Sequence, residues 1–325
     1  MSDEITNLSG RKVLVTGGAG FIGSHLCEEL LNEGASIIAL DDMSAGRTSN
    51  VRIFEDHPNY RFVQGSVCDD DAKMHDIFDE LDTVFHNAAS KKNICLHDPK
   101  QDLAVNAEGT LNLLLLAKEH GTRKFVHAST GSVYGEPSVF PTDETHPLRP
   151  VSYYGVSKLA GERYVDTFHQ LYGMDTTILR YFHVYGPRQE SNDFGGVVSI
   201  FMRCIAEGKN PIVFGHGEQV RSFTYVKDLI NVNLRAAKMP AASGQVYNVA
   251  SGIRVTINDL VSNMLKFSKR NDLMVVHGPE LVGDVMNFDI DNTKVHKELD
   301  VSFQQDFWGT LQNSLQDVHS FLALD

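Results

Sequence analysis

The stretch that constrains this chain most is a short apolar run, 12–16, that passes directly into Gly17-Gly18-Ala19-Gly20-Phe21-Ile22-Gly23 and then into a helical pattern. Gly17 permits a tight turn, Gly20 lets the backbone approach a pyrophosphate, and Gly23 lets the helix pack on the strand. The helix end at Phe21 and Ile22 presents N–H groups and a positive dipole end to an anion. About twenty residues on, the next candidate strand ends at Asp41, with Asp42 after it. A carboxylate in that place accepts both ribose hydroxyls of NAD and repels the 2′-phosphate of NADP. NAD is therefore the expected cofactor.

From there, short apolar runs alternate with longer helical patterns, the sequence form of a parallel sheet covered by helices. Candidate strands lie at 12–16, 36–41, 60–64, 83–87, 124–128 and 176–180, and helices at 23–33, 72–80, 102–120 and 152–172. The expected fold is α/β, a doubly wound parallel sheet of Rossmann type. Beyond Arg180 the alternation weakens, and glycines and prolines interrupt the stretch 185–217. A smaller mixed α/β lobe is expected there, with 245–249 returning to the sheet. The division predicted is residues 1–180 with 222–250 as the NAD-binding domain, and 181–221 with 251–325 as the substrate-binding lobe. The 325 residues suffice for two modest domains.

A net charge of −13 argues against nucleic acid or an anionic membrane as partner. No apolar stretch reaches bilayer length and the polar first twelve residues lack a signal-peptide core, so a soluble, cytoplasmic protein is expected. The four cysteines are far apart, and the fourteen histidines show no i, i+4 ligand pairing. No metal is expected.

A second constellation is Tyr154-Gly155-Val156-Ser157-Lys158, which sets Tyr154 and Lys158 on one helix face. A phenol with its ordinary pKa near 10 is a poor base at neutral pH, and an adjacent ammonium stabilises the phenolate. Ahead of it a candidate strand runs toward Ser129-Thr130, whose hydroxyls would stand at the carboxyl edge where such sheets bind ligands.

These residues, with Asn87-Ala88-Ala89, Asn106, Val133-Tyr134-Gly135, Arg180-Tyr181-Phe182, Val184-Tyr185-Gly186-Pro187-Arg188 and Gly283-Asp284-Val285, closely resemble the extended short-chain dehydrogenase/reductases that act on nucleotide sugars. The resemblance covers nearly the whole chain. It implies that Tyr154 takes a proton from a sugar hydroxyl, usually that on C4, as the carbon gives up hydride. Lys158 lowers the tyrosine pKa and holds the nicotinamide ribose, and Thr130 hydrogen-bonds the same oxygen. Ser66, Val67, Asn87, Ala88, Ala89, Asn106 and Tyr181 are implied on the cofactor side. Lys91 stands where 4-epimerases often carry a lysine near the cofactor and substrate, its plain alternative being a surface lysine beside Lys92. Ser132, His183 and Asp284 are implied at the substrate, Arg221 at its diphosphate. The helices at 102–120 and 152–172 correspond to those that pair as a four-helix bundle in family dimers, so a homodimer is expected.

The residues after Thr130 separate the reactions. Dehydratases of the family read Thr-Asp-Glu, and decarboxylases usually keep the Glu; this chain reads Thr130-Gly131-Ser132. Without those carboxylates an acid/base pair for elimination is missing, and C4 epimerisation through a 4-keto sugar is expected. A 4,6-dehydratase, a decarboxylase, a ketoreductase and a silent NAD-binding protein stay open. His183 replaces the family's Asn, Ser66 stands where an Asp is common, and Glu280-Leu281-Val282 replaces a basic residue. Phe288 falls at the sugar pocket, where its ring would exclude a C2 N-acetyl group, or else in the core of the second lobe. A UDP-sugar of glucose/galactose type is the expected substrate.

Overall fold

The computed structural model describes residues 7–90, 95–192, 195–281 and 285–322, the side chains at 319 and 320 excepted. Six strands form within two residues of the expected runs: β1 (Lys12–Thr16), β2 (Ser36–Asp41), β3 (Tyr60–Gln64), β4 (Thr83–His86), β5 (Lys124–Thr130) and β6 (Asp175–Tyr181). The later strands are β7 (Val184–Tyr185), β8 (Ile212–Phe214), β9 (Val220–Ser222), β10 (Thr224–Tyr225), β11 (Gln245–Val249), β12 (Arg254–Thr256) and β13 (Val276–Gly278). The main sheet runs β11-β6-β5-β4-β1-β2-β3, every pairing parallel. The chain leaves β1 toward β2 and β3, then returns to β4 on the other side. That reversal is the switch point at which open α/β sheets bind their ligands.

Side-chain alternation along the strands feeds two apolar layers. Val13, Val15, Ile37 and Ala39 pack with helices Phe21–Asn32 and Val226–Lys238 on one face. Leu14, Ile38, Leu40 and Val84 pack with helices Ala72–Phe78, Gly109–Glu119 and Tyr153–Tyr172 on the other. Val295 and Leu299 of helix Thr293–Leu299 join the first layer, so part of the chain assigned by sequence to the smaller lobe covers the large sheet.

The helix expected at 102–120 differs. It begins earlier, at Pro99, where Asp98 accepts from Gln101 N, and its middle, Ala104–Glu108, widens into a π-type turn before Gly109–Glu119. The Asp98-Pro99 pair is a readable start signal; the widening is tertiary, since Asn106 bonds Ser90, Asp102 and Ser157. Helix Tyr153–Tyr172 starts on the Ser152 cap and stops at Gly173, whose φ of 65° suits a left-handed terminus.

The smaller lobe has its own core of Phe201, Met202, Val213, Val255, Leu260, Met264 and Phe307, built on helices Val197–Ala206 and Ile257–Phe267. Its strands pair only in twos, β7 with β10, β8 with β13 and β9 with β12. Among the described residues, no helix is long and apolar enough to cross a membrane.

Candidate active site

A cavity of about 690 Å³ follows the carboxyl edge of the sheet from the glycine turn to the smaller lobe. At its first end stand Gly17, Gly20, Phe21, Ile22, Gly23, Asp41, Asp42, Ser66 and Val67; Asn87, Ala88, Ala89, Thr130, Ser132, Tyr154 and Tyr181 follow, and His183 and Phe288 lie toward the far end.

The turn is shaped by what side chains would do there. Gly17 has φ +69°, and a Cβ on it would lie 3.0 Å from Ala88 N; one on Gly23 would lie 2.0 Å from Gly17 O. The two connections after β1 and β4 thus touch at the switch point, and the helix sits directly on the turn. Gly20 begins helix Phe21–Asn32 with neither a side-chain cap nor an acidic residue in the first turn, leaving its N-terminus suited to an anion. Asp41 is buried at the end of β2, each carboxylate oxygen taking one backbone N–H, from Ala19 at 3.0 Å and Met43 at 2.9 Å. The carboxylate is thereby anchored at the cavity, in the place where the dinucleotide pattern sets an acceptor for ribose hydroxyls. The open helix end, the cradle that a Cβ would fill and the carboxylate together fit NAD.

Deeper in the cavity, Thr130 Oγ1 accepts from Ser132 N at 3.2 Å and is within 3.2 Å of Ser132 Oγ. It also hydrogen-bonds the Tyr154 phenol. Burial nonetheless pushes the phenol up to about 12, against that hydrogen bond, and the Asp102 charge acts in the same direction as burial. Desolvation is the larger effect on the phenol. Lys158, one turn on and 1% exposed, is itself pulled down to about 8 by burial, with Glu162 and Asp102 supporting its charge. Glu162 accepts from Ser129 Oγ at 2.6 Å and from Arg180 at 2.9 Å through both oxygens, and Arg180 Nη1 donates to Tyr134 OH at 2.7 Å. This buried lattice fixes the helix that carries Tyr154 and Lys158 to β5 and β6.

Lys158 and Asn106 stand behind the cavity wall. Asn106 takes Ser90 N at 3.0 Å and donates to Asp102 and Ser157, bracing the two helices. Tyr181 OH donates to Asn233 Oδ1 at 2.8 Å and lies 3.2 Å from Asn87 Oδ1. His183 has φ +36°. Asn and His are both enriched in left-handed backbone, which explains physically why His can stand where the resembled family has Asn. Phe288 is buried yet lines the cavity, its ring 5.0 Å from that of His183 and 5.8 Å from Phe182. It packs with Val133, Tyr134 and Phe182 in a small apolar cluster apart from the core of the smaller lobe. Arg221 lies behind it, Cζ 5.6 Å from the Phe288 ring, with Nη1 donating to the carbonyls of Val285 and Val220. Lys91 and Asp284 lie outside the described residues.

The cavity also takes in Gly46, Glu190, Gly195 and Gly196, which the sequence reading passed over. Gly46 approaches Asp41 so closely that a Cβ would meet Oδ1 at 2.6 Å, a contact visible only in the structure; the readable signal was the Gly195-Gly196 pair, which opens helix Val197–Ala206 without a side-chain cap.

Comparison with known proteins agrees with this geometry. The UDP-glucose 4-epimerase of Mycolicibacterium smegmatis is 36% identical over 294 residues, 89% of this chain and 92% of that protein. The dTDP-glucose 4,6-dehydratase of Streptomyces niveus is 30% identical over 299 residues, 90% and 88% of the two chains. The solved UDP-glucose 4-epimerase of Thermotoga maritima, with UDP-glucose, superposes with a TM-score of 0.88 at 35% identity, covering 95% of this chain and 98% of that one. A family profile matches residues 13–250, across the glycine turn, the Tyr154/Lys158 helix and the returning strand β11. The chain belongs to the NAD dependent epimerase/dehydratase family.

Proposed function

We propose that the protein is a nucleotide-sugar 4-epimerase that interconverts UDP-glucose and UDP-galactose. The observation that carries the reading is the Thr130-Gly131-Ser132 turn. An ideal Cβ on Gly131 would lie 2.2 Å from Phe182 Cε1, so the position that holds a carboxylate in resembled dehydratases is filled here by an aromatic ring. Elimination of water lacks its acid/base pair on this turn, and oxidation at C4 followed by reduction of the opposite face remains.

NAD, when bound, supplies the hydride acceptor and donor. Gly17, Gly20, Phe21, Ile22 and Gly23 would take its pyrophosphate, Asp41 with Asp42 its ribose, and Ser66, Val67, Asn87, Ala88, Ala89, Lys91, Asn106 and Tyr181 would complete its site. Tyr154 removes the proton of the C4 hydroxyl and returns it. With its phenol at about 12, Tyr154 needs positive charge nearby to work at neutral pH, and Lys158 is the built-in cation. Thr130 and Ser132 steady the reacting oxygen. Arg221, His183 and Asp284 would hold the diphosphate side of the substrate. Phe288 would fill the room a C2 acetamido group needs.

A division into an NAD-binding domain, residues 1–180 with 222–250, and a substrate lobe, residues 181–221 with 251–325, is supported by the separate apolar core around Phe201 and Leu260, with helix Thr293–Leu299 packing back on the large sheet. A homodimer is supported by helix Tyr153–Tyr172, which leaves Tyr153, Val156, Tyr164 and Leu171 exposed. A cytoplasmic setting fits the reduced, scattered cysteines. The test is incubation with a panel of nucleotide sugars and NMR of the products. UDP-galactose from UDP-glucose, with little turnover of UDP-N-acetylglucosamine until Phe288→Ser opens the pocket, is the expected result. A dehydrated or decarboxylated product would refute the epimerase, and equal use of both sugars by the native protein would refute the role of Phe288.

A further inference from the structure

Far from the cleft, two helices of one sheet face bring three metal-ligating side chains together. His75 comes from helix Ala72–Phe78, and Glu119 and His120 from the carboxyl end of helix Gly109–Glu119. One ligand atom from each lies within 4.8 Å of the other two. His75 Nδ1 and His120 Nε2 face each other at 3.2 Å. Zinc–nitrogen bonds of about 2.0–2.1 Å in a tetrahedron set ligand atoms about 3.3 Å apart, so the two nitrogens already span one edge of such a site.

The surroundings favour a cation. Asp70 Oδ1 lies 3.8 Å from the other nitrogen of His75, beyond hydrogen-bond distance but near enough to add negative charge beside the pair. The negative end of the helix dipole falls on Glu119 and His120. The neighbouring lysines are turned elsewhere: Lys118 Nζ sits 4.0 Å over the Tyr172 ring, and Lys73 donates to Gln64 O. A bare hydrogen bond between imidazoles explains the 3.2 Å contact but not the carboxylate on each side of it. Spacing along the chain does not reveal the cluster, because 45 residues separate the two histidines and no ligand pattern links them.

We propose that His75, Glu119 and His120 form a binding site for a divalent transition metal of zinc type, with a water completing the coordination. Two imidazoles and one carboxylate are the donor set zinc accepts in three-ligand sites. The metal would clip helix Ala72–Phe78 to the end of helix Gly109–Glu119. No step of the sugar chemistry passes through it.

The test is calorimetric titration of the chelator-treated full-length protein with zinc chloride, alongside the visible absorption of bound cobalt(II). Native protein is expected to take up one equivalent, and His75→Asn and His120→Gln to weaken binding at least about tenfold while keeping sugar turnover, which shows them folded. Zinc should raise the thermal midpoint of the native protein and not of the variants. Equal zinc affinity in native protein and the doubly substituted variant, or no uptake by native protein at submillimolar zinc, would overturn the site.

Discussion

On the cofactor side of the cleft, seven parallel strands share one continuous sheet between two apolar layers, and the binding turn is fixed by contacts that admit no side chain. On the substrate side, three two-stranded ribbons hang on a separate core, and the site is lined by rings, Phe288 and His183 among them. The first side is specified by backbone geometry, since Gly17 and Gly23 are dictated by atoms 2–3 Å away. The second is specified by side-chain volume, which can change without moving the backbone. A cofactor site common to many reactions and a substrate site that differs between them are the physical outcome of that contrast.

Substitutions on the two sides should therefore fail in different ways. The largest effect is expected for Tyr154→Phe, which removes the transferable proton and keeps the ring: turnover falls by about 10²–10⁴, while NAD released on denaturation stays at the native level. Turnover near that of the native protein would remove Tyr154 from the chemistry. Gly23→Ala drives a methyl toward Gly17 O, and an overpacked turn costs about 1–3 kcal/mol. Loss of bound NAD together with a lower melting temperature is the expected result; full NAD content would show that the turn yields. Across the cleft, Arg221→Ala should raise KM about thirtyfold, from a charge-assisted contact of about 2 kcal/mol, with NAD content untouched. If the same substitution released NAD, the two sides would not be separable.

The smallest expected effect is one of pH. Burial holds His25 down to about 4 and His86 and His127 well below the ordinary histidine value. All three lie in the cofactor half, and neither ring nitrogen of His127 has a hydrogen-bond partner among the described residues. Their folded pKa values are depressed, so the unfolded chain binds protons first on acidification. The stability they permit is full above pH 6.5 and is lost as pH falls below it, the His25 share down to about 4. Urea midpoints measured from pH 7.5 to 5 should fall, and His127→Leu should shallow that fall; an unchanged slope would mean that His127 does not titrate with unfolding.

How much of this was legible follows the same division. Strand positions, the Gly17–Gly23 turn, Asp41 and the Tyr154/Lys158 spacing are local patterns, and each stands in the structure where its period or turn chemistry puts it. The π-type turn at Ala104–Glu108 and the Phe182 ring against Gly131 depend on residues far away in sequence. No local signal encodes them. The spacing of Tyr154 to Lys158 is likewise visible in sequence, whereas the desolvation that moves both groups away from their charged forms is not.

The central claim is that hydride leaves C4 of the sugar and returns to the same carbon. It is tested most directly with UDP-glucose carrying deuterium at C4, the product analysed by NMR. The account predicts UDP-galactose with the deuterium still on C4 and none gained from solvent. Deuterium relocated to C6 of a 4-keto-6-deoxy sugar would contradict it.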